Sequence, residues 1–412
     1  LAAQLQEHIM DLSFYSNFSN SLVAQEAQIN SLQQQISTGL AVQTPDQNPA
    51  AYETAALGTD QVSRLSNDNT TQASIQVQLG SANNAYSSMT NLLNNVQSIV
   101  EQALNGTTNS QNMNALAGQV NSAMQQMLAI GNTTAPNGTY LFGGSRGDLA
   151  PFQPDASGNI VYYGDGGSSQ ASIGETSTAS TIANGTVFVS ALQGDGVSSV
   201  TANGSNTGSG QIIPNGVISA ATADAFQQGN SPITVTFGAN NTYTATQGGS
   251  TIASGTLNTG ASSNGTSVQL AGVDYSITGS PASGDSFTLA PARTQSIFSL
   301  LQNIHSALAN AGSTSPQVAQ TNQLLNQGLA GIAQYQQTVI TAQAQNGVTL
   351  EALSNTGTGN NNQSTEAQTN VTNATAVNTP VAIASLDQTL SALQAAMKTF
   401  GTVQGLSLFN YI

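Results

Sequence analysis

The sequence predicts a mainly α chain with an inserted β domain, elongated and built from several domains. Three observations predict it. Both terminal thirds carry apolar residues at alternating steps of three and four, the spacing of a helical seam. The middle, residues 140–290, is dominated by Gly, Ser, Thr and Asn, with short runs alternating apolar and polar side chains between turn signals. Core-forming residues are also sparse: hydrophobics make up 38% and aromatics 5% of the 412 residues, with no Trp. Those numbers suit long helices packed through Leu, Ile, Val, Ala and Met better than an aromatic-rich enzyme core.

Residues 12–42 read as the first helix, with Tyr15, Phe18, Leu22, Gln25, Ile29, Leu32 and Ile36 on one narrow face. Gly39 and Pro45 end it. The stretch Thr44-Pro45-Asp46-Gln47-Asn48-Pro49 cannot continue a helix, because proline lacks a donor and clashes with the preceding turn. A second helix begins near Ala50 and reaches about Leu104, where Asn105-Gly106 stops it. Along it Ile75, Leu79, Ala82, Tyr86, Met89, Leu93, Val96 and Val100 hold the pattern without a break. About 55 residues at ~1.5 Å rise make a rod of roughly 80 Å. A third helix follows, with Met113, Leu116, Val120, Ala123, Met127 and Ile130 in register, ended by Pro136-Asn137-Gly138.

Four runs in the middle read as strands: Ile160–Tyr163, Thr186–Val189, Ile233–Phe237 and Ser267–Leu270. Gly158-Asn159, Asn240-Asn241 and Gly248-Gly249 punctuate them as turns. Segment 193–231, low in apolar residues, is expected to be partly flexible. Helices return at about Thr294, with Ile297, Leu301, Ile304 and Leu308 on one stripe. Leu325, Leu329, Ile332 and Val339 start a longer one that continues towards Leu350 and Leu353. The Gly/Asn/Gln-rich stretch 355–364 is expected to break the helix before a terminal one carrying Ile383, Leu386, Leu390, Leu393, Met397 and Phe400. The domains nest accordingly. Residues 1–44 and 365–412 form a terminal coiled-coil assembly region, 45–145 and 291–364 a long-helix bundle, and 146–290 an all-β domain at the tip, with both termini at one end.

For mid-chain helices an apolar stripe is an ordinary core seam. The terminal stripes lie beyond the stop signals and read instead as an assembly seam: Tyr15, Phe18, Leu22, Ile29, Leu32 and Ile36 at one end, and Ile383, Leu386, Leu390, Leu393, Met397 and Phe400 at the other. Such ends meet each other or copies in neighbouring subunits. Because isolated helices are marginal in water, residues 1–40 and 375–412 are expected to be unfolded or protease-sensitive in the free monomer and to order on assembly.

Charge narrows the partners. Arg64, Arg146, Arg293 and Lys398 are the only Lys or Arg residues, against 19 acidic ones, for a net charge of −15. No basic patch can form, so binding to nucleic acid phosphates is not expected. Binding to an anionic membrane surface is disfavoured for the same reason. Coiled-coil pairing must rest on packing and on Asn and Gln hydrogen bonds rather than ion pairs. Protonation of carboxylates near pH ~4 would bring the net charge towards zero, which suggests adaptation to acidic surroundings. The absence of Cys excludes disulfides and thiolate metal sites. No run approaches the ~18 apolar residues of a membrane span. The first residues lack the basic region and continuous apolar core of a cleavable signal peptide. The chain is therefore cytoplasmic or exported by a route that reads no such signal.

Little else offers chemistry, and no catalytic residue, metal site or cofactor is assigned. His8 and His305 are the only histidines and lie far apart. Asp155-Ala156-Ser157-Gly158-Asn159 lacks calcium-loop spacing and a closing Glu, and reads as a hairpin turn. Gly164-Asp165-Gly166-Gly167 and Gly194-Asp195-Gly196 have no Lys for phosphate and read as turns. No G-x-S-x-G elbow with a His partner occurs, and the Asn-Gly-Thr triplets are the chance product of an Asn- and Thr-rich composition.

Gln35-Ile36-Ser37-Thr38-Gly39, followed by Thr44-Pro45-Asp46-Gln47-Asn48-Pro49-Ala50-Ala51, resembles the signature near the start of flagellar hook-filament junction proteins, the hook-associated protein 3 family of the flagellin superfamily. Its signature positions here are Ser37, Thr38, Gly39, Pro45, Asp46 and Pro49. Asn137-Gly138-Thr139-Tyr140-Leu141-Phe142-Gly143-Gly144, Pro151-Phe152, Gly284-Asp285-Ser286-Phe287 and the terminal Gly405–Ile412 are similar as well. The chain departs from the family at Leu40, where basic residues are usual. It departs again at Gln47 and Asn48, which leave Asp46 without its usual acidic neighbour. Residues 1–9 precede Met10, where such proteins begin, and carry no assigned role.

The resemblance implies a flagellin-like architecture and a structural, non-enzymatic protein without cofactors. It implies export through the flagellar type III channel, an export chaperone on the C-terminal region, and secretion to the bacterial flagellum. There the subunits would form a homo-oligomeric ring between the hook-side junction protein and flagellin. A flagellin-like filament subunit, or a surface-exposed binding module carried by the β insertion, is the alternative.

Overall fold

The computed structural model describes residues 2–105, 109–167, 170–174, 177–180, 183, 185–258 and 265–409, with side chains between 12 and 402. Helix α1 (Ala2–Thr38) ends where Gly39 takes a left-handed φ of 75°. Helix α2 (Pro49–Leu104) starts on Asn48, whose Oδ1 accepts the Ala51 N–H at 3.1 Å, with Pro49 in the first-turn position that needs no donor. Helix α3 (Ser110–Gly131) is capped by Asn109. The chain then enters fourteen strands among the described residues and returns to helix at α5.

The strands are β1 (Phe152–Pro154), β2 (Ile160–Tyr162), β3 (Gln170–Ser172), β4 (Thr178–Ser180), β5 (Ala191–Leu192), β6 (Ser198–Ala202) and β7 (Gln211–Val217). After α4 (Ala220–Gln228) come β8 (Ile233–Phe237), β9 (Thr242–Gln247), β10 (Ser250–Thr256), β11 (Thr266–Leu270), β12 (Val273–Thr278), β13 (Ser286–Pro291) and β14 (Thr294–Gln295). An antiparallel five-stranded sheet runs β10-β9-β8-β13-β6, and a three-stranded one β11-β12-β7. Pairs β1-β2, β3-β4 and β5-β14 lie outside them. Val235, Phe237, Leu289 and Phe287 from the first sheet and Val273, Tyr275 and Ile277 from the second share one buried core. The hairpin β9-β10 turns on Gly248-Gly249, both at positive φ, as its twist requires.

The remaining helices are α5 (Ile297–Ala309), α6 (Ser315–Thr375) and α7 (Thr379–Phe409). The chain divides into two compact units, Leu1–Thr70 with Gly357–Ile412, and Thr71–Thr356; α2 and α6 contribute to both. In the second unit the predicted stripes of α2 from Ala82 onward, α3, α5 and α6 as far as Val339 meet in one core with Phe142, Phe152 and Phe188, while Ile75, Leu79 and Leu353 form a smaller cluster with Ile173 and Ala179.

Three readings of the sequence need correction. Residues 355–364 do not break the helix; α6 runs through them. Asn69 holds both neighbours there: Asn360 Nδ2 donates to its Oδ1 at 3.3 Å, and its own Nδ2 donates to Asn361 Oδ1 at 2.9 Å. That packing outweighs a helix-propensity loss of about 1 kcal/mol at each of Gly357 and Gly359. The break falls instead at Ala376–Asn378, before Pro380. Thr186–Val189 is not a strand; all but Val189 lie within a tight 3-10 turn over Gly185–Phe188. Val187 and Phe188 are both buried, which the alternation of a strand does not permit for neighbours. Finally, 193–231 forms β6, β7 and α4, and it anchors the β core through Val200, Ile212 and Phe226.

Candidate assembly surface

The signature residues build a connector in the first unit. Thr38 Oγ1 donates back to the Gln34 carbonyl (2.8 Å), while accepting the Leu40 N–H (3.3 Å) and the Gln43 amide (2.6 Å). Ser37 likewise returns its hydroxyl to Gln34. The chain after Gly39 then pairs with the break between α6 and α7. Ala41 N–H donates to the Thr375 carbonyl (2.7 Å), Val377 N–H to the Gly39 carbonyl (3.0 Å), and Leu40 bridges Ala376. Pro45 and Asp46 form the exposed turn that follows. Gln47 Oε1 accepts the N–H groups of Gln43 (2.6 Å) and Thr44 (3.3 Å), and Asn48 caps α2. Beside Asp46, the neutral amides of Gln47 and Asn48 thus do the accepting.

This connector sets α1 beside α7, running antiparallel. Phe400 stacks on Phe18 with ring centres 4.3 Å apart and planes 4° from parallel, and meets the edge of Tyr15 at 5.1 Å. Phe14 lies beside Phe18 at 6.4 Å. Of the predicted seam, Ile29 is buried, and Phe18, Leu22, Leu32, Ile36, Leu386, Leu390, Leu393 and Phe400 are half-buried. Ile383 and Met397 stand outside it, 45% and 53% exposed. The inward face of α7 instead follows Ala382, Leu386, Thr389, Leu393, Ala396 and Phe400, one position round the helix from those two. Tyr15, though touching Phe400, is also 45% exposed. A single partner helix covers one narrow stripe, and the pair carries more apolar surface than that. Leu12, Phe14 and Val23 on α1 and Val381, Ile383 and Met397 on α7 remain exposed. Sequence reasoning missed the roles of Ala382, Thr389 and Ala396, because small and hydroxylic residues do not register as apolar stripe.

Other predicted features fall into structural roles. Asp155 Oδ1 accepts the N–H groups of Ser157 (2.8 Å) and Asn159 (2.9 Å), and those bonds, led by Asn159, hold its carboxyl below the usual range. Asp165 is held down by the hydroxyl and N–H of Ser145. Asp195 accepts the N–H groups of Val197 and Ser198, yet burial pushes its carboxyl up. His305 sits on α5 with Nδ1 enclosed and unpaired. The side chains of His8 and of Gly405–Ile412 lie outside the described residues. No group of three potential metal ligands occurs among the described residues, and no described helix is long and apolar enough to cross a membrane. A groove of about 580 Å³ between β6, α5 and α6 has neither an aromatic platform nor a charged side chain in its lining.

Residues 9–146 match the bacterial flagellin N-terminal helical region family. The flagellar hook-associated protein 3 of Escherichia coli K12 is 27% identical over 122 residues, 30% of this chain and 38% of that protein. The matched part therefore spans well under half of that relative. The crystal structure of Xanthomonas campestris FlgL is similar over 71% of this chain and 94% of its own, at 26% identity and a TM-score of 0.63. The chain is similar to flagellar hook-associated protein 3. The structure of the hook-associated protein-3 of Legionella pneumophila repeats the fold over 77% of this chain and 98% of its own, at 22% identity and a TM-score of 0.69. The internal motifs that carry the resemblance are core and turn residues in this chain. Phe142 and Phe152 meet Phe188 at 5.0 and 4.9 Å between ring centres. Asp285 is buried and accepts the N–H groups of Thr207, Gly208 and Ala282 at 2.8, 3.0 and 2.8 Å.

Proposed function

We propose that this chain is a structural, non-enzymatic subunit that joins the hook-side junction protein to the flagellin filament, in a homo-oligomeric ring of the bacterial flagellum. It reaches that place by type III export, with a chaperone on its C-terminal region, and assembles through its terminal helices. The observation that carries the reading is the α1–α7 pair. Its two helices cover one stripe between them and leave Leu12, Phe14, Val23, Val381, Ile383 and Met397 exposed. A helix pair that covers only one stripe is marginal alone, and further helices stabilise it by covering the second face. The domain division 1–44 with 365–412, 45–145 with 291–364, and 146–290 is kept as the working division of labour, the first part making the lattice contacts.

Leu22→Asp or Leu393→Asp places a charge in the seam, and Met397→Asp places one on the exposed face. Each is expected to leave hydrogen exchange within 71–356 unchanged. In cells carrying only the variant, electron microscopy should find hooks without filaments. Normal filaments from Leu393→Asp and Met397→Asp would defeat the reading.

A further inference from the structure

Buried against α6, the edge strand β7 finds a side chain where a neighbouring strand would be. β7 is the last strand of the β11-β12-β7 sheet, so its outward backbone groups have no strand partner. At Ile212, which is 1% exposed, Gln323 of α6 supplies both missing bonds. Its Oε1 accepts the Ile212 N–H at 2.8 Å, and its Nε2 donates to the Ile212 carbonyl at 2.9 Å. Gln323 is itself 2% exposed. Two residues on, at the next outward position, stands Pro214, which has no N–H to leave unpaired.

Gln323 does not act alone. Gln327 donates to Ser199 Oγ of β6, and Gln334 donates to the Asp195 carbonyl at 3.1 Å. Steps of four and seven place 323, 327 and 334 on one side of α6. The opposite side, with Leu325, Ile332 and Val339, packs into the helical core. Helix α6 thus carries an apolar face for the helices and an amide face for the β region.

We propose that this amide face is a charge-free clamp that fixes the β region on α6, with Gln323 as its positioning residue. The two larger sheets keep a core of their own, apart from the helical one, and a domain that shares no core with its neighbour would ordinarily be free to shift. Here the bonds are buried and bidentate at Gln323, half-buried at Gln327 and Gln334, and made by neutral groups. The clamp therefore holds the β region at one register on the helix, and it does so independently of ionic strength. A chain with four Lys and Arg residues has few ion pairs to offer for this task, and amides substitute.

The test is residue-resolved amide exchange on the full-length chain. In wild type, exchange at Ile212 is expected to change less than about twofold between about 0.05 M and 1 M salt, because buried neutral bonds are barely screened. In Gln323→Ala it should accelerate by about ten- to a hundredfold, the loss of two buried bonds, while Val235 and Leu289 in the β core keep their protection. Gln334→Ala, a less buried member, should give a smaller acceleration in the same strands. If Gln323→Ala unfolds the β core outright, the Gln334→Ala result decides. Unchanged exchange at Ile212 in both variants, or marked loosening of wild type by salt, would overturn the clamp.

Discussion

Replacing Phe400 by Ala should open the terminal helix pair. The ring is half-buried and makes two aromatic contacts, the stack on Phe18 and the edge contact with Tyr15. Roughly 100 Å² of covered ring at ~25 cal/mol per Å² is about 2.5 kcal/mol. The stacking geometry adds about 1 kcal/mol beyond area, and relaxation of an exposed site returns some of the total, leaving about 3 kcal/mol. That shifts the opening equilibrium of α1 from α7 by a factor on the order of 100. Amide exchange across Leu22–Ile36 should accelerate accordingly, and limited proteolysis should cut α7 sooner, with α3, α5 and the sheets unaffected. Phe400→Leu keeps most of the area and loses the stack, so it should fall between the two. Exchange in α1 unchanged within about threefold in Phe400→Ala would show that the two helices are not held by this contact.

Two further perturbations probe each compact unit. Gly58 lies in the interior of α2, where Ala would add about 1 kcal/mol of helix propensity. A Cβ there would stand 2.5 Å from Val371 Cγ2, however, and a stiff β-branched side chain yields poorly. Gly58→Ala should therefore lower the stability of the first unit by about 1 kcal/mol, and adding Val371→Ala should recover it; thermal unfolding of single and double variants measures both. Burial raises the Asp195 carboxyl above its ordinary value, so the folded state holds this proton at a pH where the unfolded chain has released it. Stability from this site is then greatest below the ordinary aspartate range and falls as pH rises through the interval above it. Asp195→Asn should remove that slope, read as urea midpoints across mildly acidic pH.

Some of this was written locally. The stripe from Ile75 to Val100 is buried at every predicted position, because eight matched positions leave a helix no second way to face its core. The signature around Gly39 and Pro45 marked a helix end for reasons internal to the backbone. The strands Ile233–Phe237 and Ser267–Leu270 followed from alternation alone. Where local chemistry and packing disagreed, packing won. Gly357 and Gly359 sit inside α6 because Asn69 grips Asn360 and Asn361, nearly three hundred residues away in sequence. Val187 and Phe188 form a tight turn because both fill the core.

The terminal seam shows the division most clearly. Sequence alone determined that both ends are apolar-striped helices, since the period of the stripe is a property of each helix by itself. It could not determine which side of α7 turns inward. Ile383 and Met397 satisfy the heptad yet face outward, while Ala382 and Thr389 face in. The connector from Gly39 to Val377 fixes the rotation of α7 against α1, and the ring of Phe400 settles on Phe18 accordingly. The same holds for Gln323. A glutamine in a polar helix carries no local sign of its partner, because the unpaired edge of β7 exists only once the sheet has formed.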